Sequence, residues 1–170
     1  MTIAALMEKM IAFTSADSTI VHHDVNHFMK VWGFARTIGT AEQLDETAQF
    51  TLEAAAILHD IACPLCRRKY GSAPGTLQEK EGKPLAEGFF KDTDIPKAIQ
   101  QRIVYIVSHH HTYTGVDGID YQIMLEADFL VSADEGHEST QGIQTFGDKV
   151  FKTPTGIRLL HDLYGYVPRS

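Results

Sequence analysis

The sequence predicts an all-α, single-domain protein, and three observations carry that reading. Apolar residues recur at three- and four-residue spacing along most of the chain. No segment sustains the period-two alternation of a half-buried strand. With 170 residues, 44% of them hydrophobic and 22% charged, the chain has the size and composition of one ordinary globular domain. A domain of this length buries roughly two-thirds of the surface of its unfolded chain and needs no disulfide staples. About six to eight helices are expected, with a core spanning residues 20–136 and flanking helices over 1–15 and 153–166.

Each element has its own signal. Thr2 to Thr14 carries Ile3, Leu6, Met7, Met10, Ile11 and Phe13, an amphipathic opening helix. Asp17 or Ser18 is placed to cap a second helix reaching Ile38, with Val21, Val25, Phe28, Val31, Trp32 and Ala35 inward. Thr40 is expected to cap a third, which ends in the buried-looking run Ala54-Ala55-Ala56-Ile57-Leu58 before Pro64 stops or bends the chain. The loop Gly71-Ser72-Ala73-Pro74-Gly75 precedes a shorter helix from about Gln78 to Lys91. Asp94-Ile95-Pro96 reads as a cap with proline in the first turn, opening a helix through Ile99, Ile103, Ile106 and Val107. Gly115 to Gly118 is a turn, Asp120 a cap for a helix through Ile123, Leu125, Ala127, Leu130 and Val131, and Thr153-Pro154 the start of a last helix.

Charge and cysteine usage exclude several functions. Fifteen Lys and Arg against 22 Asp and Glu give a net charge of −7. Such a field repels a phosphate backbone, so broad nucleic-acid or anionic-membrane binding is not expected. The opening residues have no basic stretch, and Glu8 and Lys9 interrupt their apolar run, so no signal peptide is expected and the cytoplasm is the default location. Cys63 and Cys66, the only cysteines, share thioredoxin-type spacing but follow a helix instead of opening one. A homodimer is left open.

The chemistry lies in polar groups that the helical pattern buries. His59-Asp60 ends the most apolar helix, His27 lies 32 residues earlier beside Phe28 and Val31, and Asp128 lies 68 residues after Asp60, flanked by Ala127, Phe129 and Leu130. Burying such groups costs several kcal/mol each (roughly) unless they are paired or hold a cation. Singly, each reads as a hydrogen-bonded core residue or cap. Together, imidazoles and carboxylates from three helices form a donor set for Mn, Fe, Ni, Co, Zn or Mg. Nine histidines, more than a chain this long usually carries, point the same way.

In order and context these residues resemble the HD superfamily of metal-dependent phosphohydrolases. Asp24-Val25-Asn26-His27-Phe28-Met29-Lys30-Val31 is similar to its first helix motif, with Lys30 where Arg is commoner. Ala55-Ala56-Ile57-Leu58-His59-Asp60-Ile61 is similar to its central signature, and Leu125-Glu126-Ala127-Asp128-Phe129-Leu130 to its terminal ligand motif. The resemblance spans Asp24 to Glu135. It implies a helical bundle in which His27, His59, Asp60 and Asp128 bind one divalent metal that activates water against a small phosphorylated substrate, a nucleotide among the options, with Asp60 orienting the water or accepting its proton.

His109 and His110, in Ser108-His109-His110-His111-Thr112, are expected as catalytic or second-metal residues ahead of His111, and Glu81 as a further second-metal ligand. A solvated histidine cluster at a helix end, favoured by the helix dipole, is the plainer account of the run. Arg67, Arg68, Lys69 and Lys83 are expected to neutralise substrate phosphate, though a solvated positive run explains them as well. His23, one turn before His27, is ranked outside the ligand set. Two departures narrow the family reading. Cys63 stands where a nucleotidase-like branch has a glutamate, and Thr112 follows the histidine run where a cyclic-dinucleotide branch has Glu and a Gly-Tyr-Pro motif. A dinuclear-iron oxygenase and a non-catalytic metal- or nucleotide-binding domain stand as alternative roles.

Overall fold

The computed structural model describes residues 1–169, and all of its regular structure is helical. The helices are α1 (Ile3–Asp17), α2 (Val21–Ala41), α3 (Glu46–Leu58), α4 (Cys63–Tyr70), α5 (Gly75–Phe89), α6 (Lys97–Val107), α7 (Ile119–Glu135), α8 (Thr140–Val150) and α9 (Pro154–Tyr164). Among the described residues, none is long and apolar enough to cross a membrane.

The centre of the bundle is α3. Every residue from Thr51 to Leu58 is buried, and α1, α2, α6 and α7 all pack around it. The small side chains of Ala54, Ala55 and Ala56 let neighbouring helices approach on more than one side. Buried Glu53 is satisfied there by Trp32 Nε1 at 2.8 Å, Gln49 Nε2 at 2.9 Å and Arg36 at 3.2 Å. Helices α2 and α7 pack against each other as well as against α3, while α5 lies on α6, and α8 and α9 lie against α7.

Several helix starts differ from expectation. Helix α2 runs through Thr40 to Ala41, and Asp45 caps α3 by accepting the Ala48 N–H at 2.8 Å. The second helix begins at Val21 without a side-chain cap, so neither Asp17 nor Ser18 serves. Pro96 itself is the N-cap of α6. Gly118 caps α7, leaving Asp120 in its first turn, where it accepts hydrogen bonds from Arg102 at 2.6 and 2.9 Å. Pro64 bends the chain and then occupies the first turn of a new helix, α4. Thr153 caps α9 as expected, accepting the Gly156 N–H at 2.9 Å.

The α9 start also shows why α7 carries a buried glutamate. Glu126 Oε1 accepts the backbone N–H groups of Lys152 at 2.7 Å and Thr153 at 2.9 Å, while Oε2 accepts the Thr153 hydroxyl. Gly156 makes this approach feasible, because a Cβ there would lie 2.0 Å from Glu126 Oε2.

Candidate metal centre

Three helices deliver the central residues. His27 projects from the buried face of α2, and Asp128 from α7. His59 follows the last residue of α3 in helical conformation, and the chain then turns tightly, Ile61 N–H to Leu58 O at 2.9 Å and Cys63 N–H to Asp60 O at 2.9 Å. That turn keeps both His59 and Asp60 directed at the α2–α7 seam. His27 Nε2 lies 3.1 Å from His59 Nε2, 3.4 Å from Asp60 Oδ2 and 3.5 Å from Asp128 Oδ1. His59 Nε2 lies 3.6 and 3.8 Å from the same two carboxylate oxygens. The His59 side chain is 0% exposed, but Asp60 keeps 27% and Asp128 14%, so the carboxylate side of the cluster opens to solvent.

Hydrogen bonds at the far ring nitrogens dictate what these imidazoles offer. His59 Nδ1 donates to Ala56 O at 2.8 Å, His27 Nδ1 to Glu135 Oε2 at 2.8 Å, and His110 Nδ1 to Val107 O at 2.7 Å. A neutral imidazole that donates at Nδ1 presents a lone pair at Nε2. Two such lone pairs facing each other at 3.1 Å, between two carboxylates, are repulsive unless a proton or a metal cation lies between them. The Nε2 atom of His110 is buried with no hydrogen-bond partner, 3.6 Å from Asp60 Oδ1. Acceptors gathered around one point with an orphaned imidazole nitrogen beside them fit a divalent cation.

The local field agrees. Burial works to depress the His27 imidazole, but its hydrogen bond to Asp128 and the charges of Asp60 and Asp128 outweigh it and push the pKa up to about 10. Burial works to raise Asp128, yet His27 and His59 hold it down at about 2. Asp60 is likewise held well below the usual carboxylate range, against burial, by His59, His110 and His27. Burial keeps His59 below its ordinary value in spite of the same carboxylates. Without a metal, therefore, a proton on His27 offsets one of the two ionised carboxylates.

The histidine run lies outside any helix, since α6 ends at Val107. His110 turns inward and joins Asp60 and His111 in a second group whose ligand atoms all lie within 4.8 Å of one another. His109, expected as a catalytic or second-metal residue, is corrected here. Its Nδ1 donates to Tyr105 O at 2.7 Å and its ring stacks on Tyr105 at 4.3 Å, in the wall of a groove between α5 and α6. His111, ranked below it, takes the inward place, with Nε2 3.1 Å from Gln78 Oε1. An added Cβ on Gly75 would sit 2.6 Å from His111 Cγ, so glycine at the start of α5 keeps this position open.

Glu81 is also corrected. It accepts from Lys69 Nζ at 2.9 Å and Tyr70 OH at 2.6 Å, across the α4–α5 contact, and is not in either group. The expected phosphate-neutralising cations are mostly paired. Arg67 binds Asp24, Arg68 binds Asp17 and Lys69 binds Glu81, while Lys83 lines the α5–α6 groove with His109. Cys63 and Cys66 are free and buried, and burial followed by the charge of Asp60 pushes the Cys63 thiol up, away from the reactive thiolate.

The sequence reading missed Glu135, which orients His27 and is itself held by Lys30 Nζ at 2.9 Å. Its signal was its place seven residues after Asp128, two turns on along the same face of α7. His23 stacks 6.4 Å from His27 and stays largely exposed.

These positions coincide with a known domain. The family model described as HD domain matches residues 24–131, which include His27, His59, Asp60, His110, His111 and Asp128. Among solved structures, the crystal structure of a predicted HD superfamily hydrolase from an uncultured Thermotogales bacterium is similar at a TM-score of 0.69 and 20% identity, covering 97% of this chain and 92% of that one. At that identity the likeness concerns the fold. Comparison with curated proteins gives no match.

Proposed function

The chain belongs to the HD-domain family, and on that premise we propose that it is a metal-dependent phosphohydrolase acting on a small phosphorylated molecule. One observation carries the reading. Two imidazole Nε2 atoms and two ionised carboxylates, drawn from three parts of the chain, face one point at the edge of solvent. His27, His59, Asp60 and Asp128 hold the cation there. A divalent metal so held supplies Lewis acidity, polarising a phosphoryl oxygen and lowering the pKa of water.

The chain's own groups do the rest. Asp60 Oδ2 faces the His27–His59 pair while its Oδ1 faces His110, so this carboxylate serves the cation with one oxygen and accepts a proton at the other. His110, locked at Nδ1 by Val107 O, presents Nε2 to a phosphate oxygen and donates to it when protonated. Burial opposes that proton and Asp60 favours it, with the net shift upward. Glu135 fixes the His27 tautomer, and buried His59 is fixed by Ala56 O. The net charge of −7 favours a small substrate over a polyanion.

The Asp60–His110–His111 group favours a second reading beside this one, a dinuclear centre with six protein ligands in all, as a dinuclear-iron oxygenase requires. Protein loaded with Mn, Co, Ni, Mg, Zn or ferrous iron is expected to release phosphate from a panel of phosphate esters, and His59→Ala or Asp60→Ala to abolish that release. Equal activity in both variants would overturn the assignment. Oxygen consumption by the iron form without phosphate release would transfer it to the oxygenase.

A further inference from the structure

His110 projects from a turn, because α6 ends at Val107, so no helical ladder fixes its direction. Its side chain is nevertheless 0% exposed, with Nε2 3.6 Å from Asp60 Oδ1 and no hydrogen-bond partner. The Nδ1 bond to Val107 O fixes the rotation of the ring but not where the backbone carries it. That is set by the two peptide units on either side of its Cα, each a rigid plane.

Each of those planes is gripped by a side chain from a different helix. Before His110, the Tyr121 hydroxyl of α7 lies 2.5 Å from His109 O and also 2.5 Å from Thr112 O, so its single proton is shared between two carbonyls. After His110, Glu79 Oε1 of α5 accepts the His111 N–H at 3.0 Å and the Thr112 hydroxyl at 2.9 Å. The Thr112 N–H returns to His109 O at 2.7 Å and closes the turn, so Thr112 joins the two grips. Tyr121 is itself immobilised, buried with its ring edge to face on Tyr105 at 6.0 Å. It lies seven residues before Asp128, two turns away along the same face of α7, which ties this anchor to the helix that supplies a ligand carboxylate.

From these contacts we infer that Glu79 and Tyr121 are positioning residues, which together clamp both peptide planes beside His110 and so aim its Nε2 at Asp60 and at a substrate phosphate. Both act through His110 and not on the reacting atoms. One hydroxyl proton and one carboxylate oxygen thereby do for this turn what ladder bonds do for a helix. The inference rests on the phosphohydrolase reading for its effect on turnover, but the clamp itself is measurable in metal-free protein.

The test reads the histidine ring N–H signals of the metal-free, full-length protein by proton–nitrogen NMR. In Glu79→Ala the His110 Nδ1–H should exchange with water roughly two- to tenfold faster, the scale of one lost hydrogen bond. Glu79→Gln, which keeps an acceptor oxygen, should restore the wild-type rate, and Tyr121→Phe, which keeps the ring, should also speed the exchange. The His27 and His59 ring signals should keep their wild-type rates in all of these variants. In the active protein, Glu79→Ala should lower kcat/KM by up to about 100-fold, the scale for a misaimed catalytic group. Added to His110→Ala it should cost nothing further, because a residue acting only through His110 has no role once that side chain is gone. Exchange at His110 that is unchanged in both Glu79→Ala and Tyr121→Phe, or that quickens equally at all three histidines, overturns the inference, as does an activity loss additive with that of His110→Ala. His110 exchange that follows the variants while no phosphate ester is turned over overturns the hydrolase reading and leaves the clamp standing.

Discussion

Removing Glu135 isolates the part of the metal centre that lies one layer out from the cation. Its Oε2 accepts from His27 Nδ1 at 2.8 Å and its Oε1 from Lys30 at 2.9 Å, so Glu135→Ala takes away the group that fixes both the tautomer and the tilt of the His27 ring. Loss of such an outer partner costs about 10- to 100-fold in metal affinity, or about 1.4 to 2.7 kcal/mol. The Glu135 side chain is 19% exposed, so water can replace it, and the metal-free fold should lose no more than about 1 kcal/mol. Glu135→Gln retains an acceptor without the charge and should fall between wild type and alanine. Calorimetric titration of metal-stripped protein with Mn, alongside urea unfolding of the same samples, separates the two effects. Unchanged Mn affinity in Glu135→Ala, or a fall explained by lost stability, would refute the role assigned to this residue.

Three further outcomes follow from particular contacts. Metal entry should displace the proton that His27, with its pKa pushed up to about 10, carries near pH 7, so calorimetry there in buffers of different ionisation enthalpy should show about one proton released per metal, declining as pH approaches 10. Burial, only partly offset by the donors of Lys152 and Thr153, raises Glu126, so its contribution to stability is full below the ordinary carboxylate range and is lost as pH rises through the raised value. Glu126→Gln should remove that slope in urea unfolding, and a stability difference from wild type that is independent of pH would count against it. Gly75→Ala should displace His111 while leaving the helical content intact, seen as a shifted His111 ring resonance with unchanged circular dichroism.

The helical class and the His27, His59, Asp60 and Asp128 positions were legible because each rests on local periodicity or on an adjacent pair within a strongly apolar helix. What eluded the sequence depends on packing. Helix α8, whose apolar stripe is limited to Ile143, Phe146, Gly147 and Val150, gives little signal in an otherwise polar segment and becomes clear only against Phe129 and Tyr166. The histidine run illustrates the same limit. Because α6 ends at Val107, the turn after it swings His109 out and His111 in, the reverse of the expected order. The cap expected at Thr40 failed because α2 runs on through it to Ala41, and the one expected at Asp120 failed for a different reason. A polar residue near a helix start is drawn elsewhere when a stronger partner exists, as Arg102 is for Asp120.

Metal content decides the matter most directly. Protein prepared without chelator or affinity histidines, measured by elemental mass spectrometry, should carry at least about one divalent ion per chain, with His59→Ala and Asp128→Ala folded but nearly devoid of it. Wild-type protein that neither retains nor takes up a divalent ion, or variants that bind as well as wild type, would contradict the centre described above.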